Sequence, residues 1–353
     1  MSGSLSPPRR PAAPLLGSLL LLSLVLVPAL GAAEPASGAG AEEWRVLETK
    51  DGSRATPRHE AGGLAVSGDL YLLGGRQRRP IERFSSERGG WTNLGSAPRE
   101  LHHFQPVALD GKIYVVGAFT CCYPREDPVP EIHVFDTATE TWDIAGKMPA
   151  ARVRGSTAAV VHDGLVYVLG GNTRGHDGGA VPWFDVWDPA TDTWTVLPDA
   201  PHARDHFVGL VVGDSLVAAA GRTTTMPNPA SDPVLPTDVW DFSTSRWRTE
   251  ASIPSPRSGN VGIAWGSEAI ILGGELNTSS VALDTVEAFD VRSGSWRTLP
   301  PMNQGRHGSG AGVLDDTLHI VAGATSLGGS GETSSHETLR LPPTETGETD
   351  TPG

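Results

Sequence analysis

Histidine and arginine residues recur in short phrases along the chain, and these are the residue types that could do chemistry. The phrases "LHHF", "ARDHF" and "GRHG" begin at Leu101, Ala203 and Gly305. Imidazole groups transfer protons near neutral pH and coordinate metal ions, and guanidinium groups bind carboxylates in a bidentate manner. The residues therefore allow acid–base catalysis, metal binding or the recognition of an acidic or hydroxylated ligand.

Both cysteines of the chain, Cys121 and Cys122, stand side by side in the stretch "GAFTCCYPREDP". Two cysteines are too few for a disulfide scaffold. A bond between neighbours joins Cα atoms about 3.8 Å apart, below the usual disulfide range of about 4.4 Å upward. We therefore expect two free thiols in a loop, with a vicinal disulfide as the alternative.

The composition favours many short strands over helices. The chain has 353 residues with 43 glycines and 29 prolines, and only 19% of its residues are charged. Glycine and proline interrupt helices but are common in the turns between strands. The formal net charge of −14 argues against a nucleic-acid partner and against an anionic membrane surface, because both attract basic proteins.

The first residues have the pattern of a secretory signal. Arg9 and Arg10 precede an apolar run from Pro14 to Leu30, and small residues follow it. We predict a signal peptide over 1–33 that is removed, which gives a secreted or periplasmic protein with no membrane association after cleavage. The alternative is an uncleaved anchor, although the apolar run is short for a membrane span.

Two phrases alternate along the rest of the chain. One is a turn followed by a strand that ends in glycine, as in "SGDLYLLGG" at Ser67 and "DGLVYVLGG" at Asp163. The other ends in tryptophan, as in "VFDTATETW" at Val134 and "VWDPATDTW" at Val186. The tryptophans recur with a period of about 50 residues, which is typical of one four-stranded propeller blade per repeat.

These phrases resemble those of Kelch-repeat β-propellers, and the resemblance covers residues 43–341. It implies an all-β, six-bladed propeller over 42–341. The last repeat lacks its tryptophan phrase, and "EEWRVLE" at the start of the chain supplies it. We therefore expect the N-terminal strand to close the last blade as its outer strand, which leaves no unpaired seam. The polar, proline-rich segment 342–353 is predicted to be disordered.

In such a propeller the starts of the innermost strands and the loops between the second and third strands share one face, around the mouth of the central channel. Of the adjacent His102 and His103, at most one can face the channel, because neighbouring strand residues point to opposite sides. His206 and Glu275 are the candidates for proton transfer. The predicted ligand-binding residues on this face are His102, His103, Phe119, Arg152, Arg154, His176, Trp183, Arg204, Asp205, His206, Arg222, Arg306 and His307.

A structural role is the alternative for the arginines at these strand starts. Each could bond loop carbonyls or pair with an acidic residue on the third strand of its blade. The sequence does not decide between the two roles. The acidic residues that could serve as partners are Glu82, Asp185, Asp238, Glu287 and Glu337.

Several specific chemistries fit the sequence poorly. Kelch proteins that resemble galactose oxidase need two tyrosine ligands, whereas only Tyr123 lies outside the repeated strand positions. Nothing has the local spacing of a zinc or calcium motif, and the Glu/Asp/His row of the iron-dependent Kelch proteins is not found. We therefore predict no metal and no cofactor.

We predict that the protein binds a carbohydrate or acidic sugar at the loop face, where Phe119 and Trp183 could stack on sugar rings. The phrases at Leu101, Gly117 and Ala203 also resemble those of exported bacterial Kelch proteins that have no assigned chemistry. One alternative is a cofactor-independent sugar mutarotase or epimerase, as the six-bladed sialic-acid mutarotases suggest by fold. Another is a protein-interaction scaffold, so the partner is a small molecule, a glycan or a protein. We expect a monomer and leave open whether it is an enzyme.

Overall fold

The computed structural model describes residues 43–344, and the regular structure in this range is almost entirely β. Two 3₁₀ turns, Ala150–Arg152 and Gly175–Asp177, are the only helical segments of that range. A search of the same residues finds no helix that could cross a membrane. The predicted signal peptide over 1–33 lies outside the described residues.

Six antiparallel four-stranded sheets form the blades of a propeller, and the all-β, six-bladed prediction is confirmed. In five blades the strands follow one another from the innermost to the outermost. After β1 (Arg45–Val46), blade 1 consists of β2 (Ala61–Val66), β3 (Asp69–Gly74), β4 (Pro80–Ser85) and β5 (Gly90–Ser96), and blade 2 consists of β6 (Val107–Leu109), β7 (Lys112–Val115), β10 (Glu131–Asp136) and β11 (Thr141–Lys147), with an additional hairpin of β8 (Phe119–Thr120) and β9 (Asp127–Pro128). Blade 3 consists of β12 (Ala158–His162), β13 (Leu165–Leu169), β14 (Phe184–Asp188) and β15 (Thr193–Leu197), and blade 4 consists of β16 (Val208–Val212), β17 (Ser215–Ala219), β18 (Thr237–Asp241) and β19 (Arg246–Glu250). Blade 5 consists of β20 (Val261–Trp265), β21 (Glu268–Leu272), β22 (Val286–Asp290) and β23 (Ser295–Leu299), and blade 6 contains β24 (Gly310–Leu314), β25 (Thr317–Val321) and β26 (His336–Arg340).

The first two strands of a blade are joined by a tight turn whose central residues have positive φ. In blade 3 these are Asp163 (φ 49°) and Gly164 (φ 74°), and in blade 1 they are Ser67 (φ 50°) and Gly68 (φ 82°). Two consecutive residues of this kind form the primed turn that matches the twist of a β-hairpin, which explains the repeated Asp-Gly. The turns lie on the face of the propeller opposite the candidate site.

The N-terminal strand completes the last blade, as predicted. β1 pairs with β26 in antiparallel register, with Arg45 opposite Thr338 and Val46 opposite Glu337. The Trp44 indole donates to the carbonyl oxygen of Pro300 at 2.8 Å, which anchors the strand against blade 5. The ring of blades is therefore closed by hydrogen bonds between the two ends of the described chain.

The hydrophobic core lies between adjacent blades. Trp187 is fully buried and packs against Tyr114 of blade 2 and Trp194 of its own blade. The inner strands β2, β6, β12, β16, β20 and β24 surround the propeller axis and line a cavity of about 310 Å³. The apolar residues of the repeats thus build the blades and leave this central cavity open.

Two expectations about local structure need correction. Cys121 and Cys122 form a disulfide instead of two free thiols, because the left-handed backbone at Cys121 (φ 58°) turns the neighbouring side chains toward each other. The start of the segment 342–353 is ordered, since the Trp265 indole donates to the Pro342 carbonyl at 2.8 Å and Thr344 lines the cavity. Residues 345–353 lie outside the described part of the chain.

Candidate binding site at the loop face of the channel

Six residues in equivalent positions, one from each blade, encircle the loop-face end of the channel, and we call them the axial ring. Each lies just before or at the start of the innermost strand, and all have left-handed φ between 53° and 65°. This conformation costs a residue other than glycine about 1–2 kcal/mol. The members of the axial ring are Glu60, His103, Ser156, His206, Gly259 and Gly308.

Backbone hydrogen bonds join the axial ring from blade to blade. The His103 amide donates to the Glu60 carbonyl at 3.1 Å, and the Ser156 amide donates to the His103 carbonyl at 2.9 Å. Further round, the Gly259 amide donates to the His206 carbonyl at 2.7 Å, and the Gly308 amide donates to that of Gly259 at 2.8 Å. These bonds fix the left-handed backbone and hold the attached side chains around the axis.

Two residues before the axial ring, five blades place an arginine, and we call these residues the arginine ring. Every member is nearly inaccessible to solvent and donates to the carbonyl oxygen sixteen residues later, or to other carbonyl groups of its own blade. Each pairs with the acidic residue of the third strand, so the structural alternative describes these arginines. The five pairs are Arg58–Glu82, Arg154–Asp185, Arg204–Asp238, Arg257–Glu287 and Arg306–Glu337.

This pairing removes Arg154, Arg204 and Arg306 from the set of residues that could hold an acidic ligand. Arg152 is also engaged, because its Nε and Nη2 atoms lie 2.9 Å from Asp185 and its guanidinium group stacks 4.4 Å from the Trp183 ring. Trp183 is therefore covered by an arginine of its own blade. The cationic ring expected at the channel mouth is thus a set of buried ion pairs.

Three histidines from three different blades converge above the axis. His103 comes from blade 2, His176 from the 3₁₀ turn of blade 3, and His206 from blade 4. Their ring centroids are 4.6, 5.2 and 5.3 Å apart, and each offers a ring nitrogen within 4.8 Å of the other two. All three are buried, so the triangle is held by the packing of the loops.

The Nδ1 atoms of these histidines are all engaged. His206 Nδ1 lies 2.5 Å from Asp205 Oδ1, and His176 Nδ1 lies 2.8 Å from Glu126 Oε1. A carboxylate accepts only, so each imidazole donates from Nδ1 and keeps a lone pair on Nε2. Burial, with the Arg222 charge, lowers the pKa of His206, which favours the neutral ring.

The contact with His102 gives His103 the same tautomer, with its proton on Nδ1. His102 is fully buried and lies 3.2 Å from the Cys121 carbonyl oxygen through Nε2 and 2.5 Å from His103 Nδ1 through its own Nδ1. The carbonyl requires a proton on His102 Nε2, so His103 is the donor between the two rings. Of the two histidines only His103 lines the cavity, and it does so from a left-handed bend (φ 53°) ahead of β6 instead of through the alternation of strand residues.

The other predicted residues of this face are engaged with one another. The buried Arg222 donates to Glu275 Oε1 at 2.7 Å, and the His307 Nε2 atom lies 2.7 Å from the Gly328 carbonyl oxygen. Burial raises the pKa of Glu275, but His307 and Arg222 outweigh it and lower the value to about 2. Glu275 is thus an ionised carboxylate paired with Arg222, and its role in proton transfer stays a prediction.

Phe119 does not reach the cavity. Its side chain is buried under the His102 and His103 rings and packs against Gly155, so it supports the site and does not stack on a ligand. Sequence reasoning missed Glu60 and Asn260, which are among the polar residues that line the cavity. Glu60 shares a repeat column with His103 and His206, and comparing that column across the blades would have found it.

The comparisons with known proteins agree with this architecture. The KLHDC2/KLHL20/DRC7 Kelch-repeats domain matches residues 102–323. The chain belongs to the Kelch-repeat family. Among the relatives of this Kelch propeller, Kelch-like protein terF from Aspergillus terreus is 27% identical over 315 residues, which are 84% of this chain and 67% of that protein.

Other relatives and one solved structure are more distant. Kelch-like protein 35 from Mus musculus is 25% identical over 266 residues, or 74% of this chain and 42% of its own length. This Kelch propeller thus spans less than half of that relative. The solved structure of YjhT superposes with a TM-score of 0.67 at 16% identity, covering 81% of this chain and 96% of YjhT. At this identity the likeness bears on the fold alone.

Proposed function

We propose that this protein is an exported Kelch propeller that binds a small hydroxylated ligand, such as a carbohydrate, at the axial-ring end of its channel. The observation that carries the proposal is a pair of side chains, the buried His206 and the half-buried Asn260, whose inaccessible polar atoms have unused hydrogen-bonding capacity. The His206 Nε2 atom and both polar atoms of the Asn260 amide have no partner, and both residues line the cavity. Buried polar groups are almost always satisfied, so a ligand or water supplies the missing bonds.

The surroundings favour a neutral ligand over an acidic one. The guanidinium groups nearest the axis are paired with carboxylates, so a ligand carboxylate finds no free cation among the described arginines of the arginine ring. The remaining groups suit hydroxyls, because an amide donates and accepts while an imidazole Nε2 accepts. Phe104 and Phe207 add apolar wall to the cavity of about 310 Å³. This volume is at the lower end for small-molecule sites.

Export is part of the proposal and rests on the basic and apolar pattern of residues 1–33. It can be tested separately by expressing the full chain and an Arg9→Glu/Arg10→Glu variant and fractionating the cells. We expect the wild-type chain in the periplasm or medium and the variant retained. Retention of the wild-type chain in the cytoplasm would remove this part of the proposal.

A screen of neutral and acidic monosaccharides by saturation-transfer NMR tests the ligand site. We expect binding by the wild-type protein, loss in Asn260→Ala and His206→Gln, and unchanged binding in Asn277→Ala. Asn277 is an exposed asparagine of a blade 5 loop and serves as the matched control. Equal binding by all four proteins, or none by the wild type, would contradict the proposal and favour a protein partner for the loop face.

Acid–base catalysis on the bound ligand is the second candidate, because Asp205 and His206 form a dyad. The carboxylate orients the ring, and the Nε2 atom that faces the cavity is free to accept a proton. A mutarotase needs only such proton transfers. Anomer exchange measured by NMR should be accelerated by the wild-type protein and not by His206→Gln, and the Asp205→Asn variant should be slower.

A further inference from the structure

We propose that His103, His176 and His206, together with Glu60, form a binding site for a divalent transition-metal ion at the loop-face end of the channel. The site would take an ion that prefers imidazole nitrogen, with Zn²⁺ as the representative. The proposal concerns the metal alone and does not depend on the sugar ligand proposed above. It departs from the sequence-based expectation that no metal is bound.

The first argument is the direction of the lone pairs. With each Nδ1 atom engaged by Asp205, Glu126 or His102, the atom left to coordinate on each ring is Nε2. A histidine ligand in a metal site usually donates its other ring nitrogen to a carboxylate or carbonyl group, which fixes the tautomer and makes the ligand more basic. His176 and His206 have this arrangement already.

The second argument is the contact between His103 and Glu60. The Glu60 Oε2 atom lies 2.9 Å from His103 Nε2, so a carboxylate oxygen and an imidazole nitrogen already meet beside the other two histidines. Both are ligand types that Zn²⁺ takes in proteins. The Nε2 atom of His206 is buried without a hydrogen-bond partner and can coordinate the same ion.

The third argument is the local charge. Carboxylates outnumber guanidinium groups around the histidines and their partners. Glu60, Glu126, Asp205 and Glu275 lie there with Arg76 and Arg222. This excess of negative charge favours a bound cation.

The geometry needs only a small contraction. A tetrahedral ion with bonds of about 2.1 Å to nitrogen holds its ligand atoms about 3.4 Å apart. One ring nitrogen of each histidine lies within 4.8 Å of those of the other two, so these ligand atoms must approach one another by up to about 1.4 Å. The long 3.4 Å contact between Arg222 Nη2 and His176 Nε2 would be given up, while Arg222 keeps Glu275 and Ser258 as partners.

Access and backbone strain are consistent with a built site. His103, His206 and Glu60 line the central cavity, so an ion can reach them through the channel. The same three residues hold left-handed φ values of 53°, 54° and 56°. Such strain in residues other than glycine is concentrated at functional sites. The two glycines of the axial ring, in blades 5 and 6, leave one side of the ring without side chains.

The test uses the purified chain stripped of metal with a chelator and then titrated with Zn²⁺ by calorimetry. We expect one equivalent to bind to the wild-type protein. Titration with Co²⁺ should give the visible absorption of a four-coordinate ion, and X-ray absorption of the Zn²⁺ form should show three imidazole ligands. The His206→Gln and His176→Gln variants should each lose at least about 100-fold in affinity, since each removes one ligand and leaves its carboxylate partner in place.

Two further variants separate a metal site from a merely structural cluster. Asp205→Asn keeps all the proposed ligands but weakens the orientation of His206, so affinity should fall about 10–100-fold. His59→Gln is the matched control, because His59 lies on the same face next to Glu60 and pairs with Glu332. Its affinity should stay within about twofold of the wild type.

The outcomes are decisive in each direction. No Zn²⁺ uptake by the folded wild-type protein, equal affinity in His206→Gln and His176→Gln, or an equal loss in His59→Gln would each overturn the proposal. If circular dichroism shows that a histidine variant is unfolded, the Asp205→Asn affinity and the number of imidazole ligands in the wild-type spectrum decide. All measurements are made without sugar, so a failed carbohydrate screen and a failed metal titration are independent results.

Discussion

The arginine ring and the axial ring lie two residues apart in the sequence of five blades. Buried polar groups are paired in the first ring and keep unused atoms in the second. In the arginine ring each guanidinium group is paired with a carboxylate and bonded to carbonyl groups, as with Arg257 and Glu287. In the axial ring, polar side chains such as His206 keep an unused atom facing the cavity, on a strained backbone. A buried charge with all its bonds made supports the fold, whereas a buried group with bonds unmade is available to a ligand.

Blade 2 shows that the two rings vary independently. At the position of the arginine it has Leu101, and at the position of the third-strand acid it has His133. Both residues are buried, and leucine carries no charge, so this blade does not bury an arginine–carboxylate ion pair at these positions. The same blade supplies His103 to the axial ring and the disulfide loop beside it. A member of the axial ring is thus present in a blade that lacks the structural ion pair.

The largest effect should come from breaking a pair of the arginine ring. Arg257→Ala leaves Glu287 buried without its cation, and removal of one partner of a buried pair costs about 3–5 kcal/mol. Urea unfolding should show this loss in the free energy of unfolding. Arg257→Met combined with Glu287→Leu should lose less, because no charge remains. A loss below about 1 kcal/mol in Arg257→Ala would mean that the arginine ring does not hold the blades.

A substitution in the axial ring should behave in the opposite way. Glu60→Gly removes a buried carboxylate but relieves a left-handed φ of 56°, which is worth about 1–2 kcal/mol. We expect the free energy of unfolding to change by no more than about 1 kcal/mol, with loss of ligand or Zn²⁺ binding. Glu60→Gln, which keeps the strain, is the control and should be less stable than Glu60→Gly. A large destabilisation by Glu60→Gly would mean that the axial ring stabilises the fold, as the arginine ring does.

The smallest effect should come from breaking an arginine–carboxylate pair that is exposed to solvent. Arg297 and Glu268 form a bidentate pair with both contacts at 2.6 Å, but the arginine side chain is half exposed. Exposed pairs contribute about 0.2–1 kcal/mol. Arg297→Ala should therefore lower the free energy of unfolding by less than about 1 kcal/mol, and added salt should reduce the difference. A loss as large as that of Arg257→Ala would show that burial is not what separates the pairs.

The six-bladed fold could be predicted because its causes repeat along the chain. Asp-Gly turns such as Asp163-Gly164, glycine-ended strands and blade-packing tryptophans such as Trp194 are local signals that six copies reinforce. The closing of blade 6 by β1 followed from the one missing phrase. The acidic residue that could partner each arginine could also be named from the sequence, since both partners occupy fixed repeat positions.

The site could be predicted only as a face. The structure brings together His103, His176 and His206, which were among the residues predicted for that face, and their role in binding stays a prediction. Which groups stay free depends in part on partners from other blades, such as Glu126 of blade 2 for His176 of blade 3, and local spacing does not encode such contacts. For the same reason a metal motif is invisible in the sequence when each ligand comes from a different repeat.

The pairing of β1 with β26 has a consequence for how the molecule assembles. Arg45 and Thr338 are partners although nearly the whole described chain lies between them, so this contact forms only after the last strand exists. Contacts of such sequence separation slow folding because the chain must lose the entropy of a long loop before it gains any bond. The junction is also only two residues long. Blade 6 should therefore be the last to fold and the first to open, and its seam sets the kinetic lifetime of the closed ring.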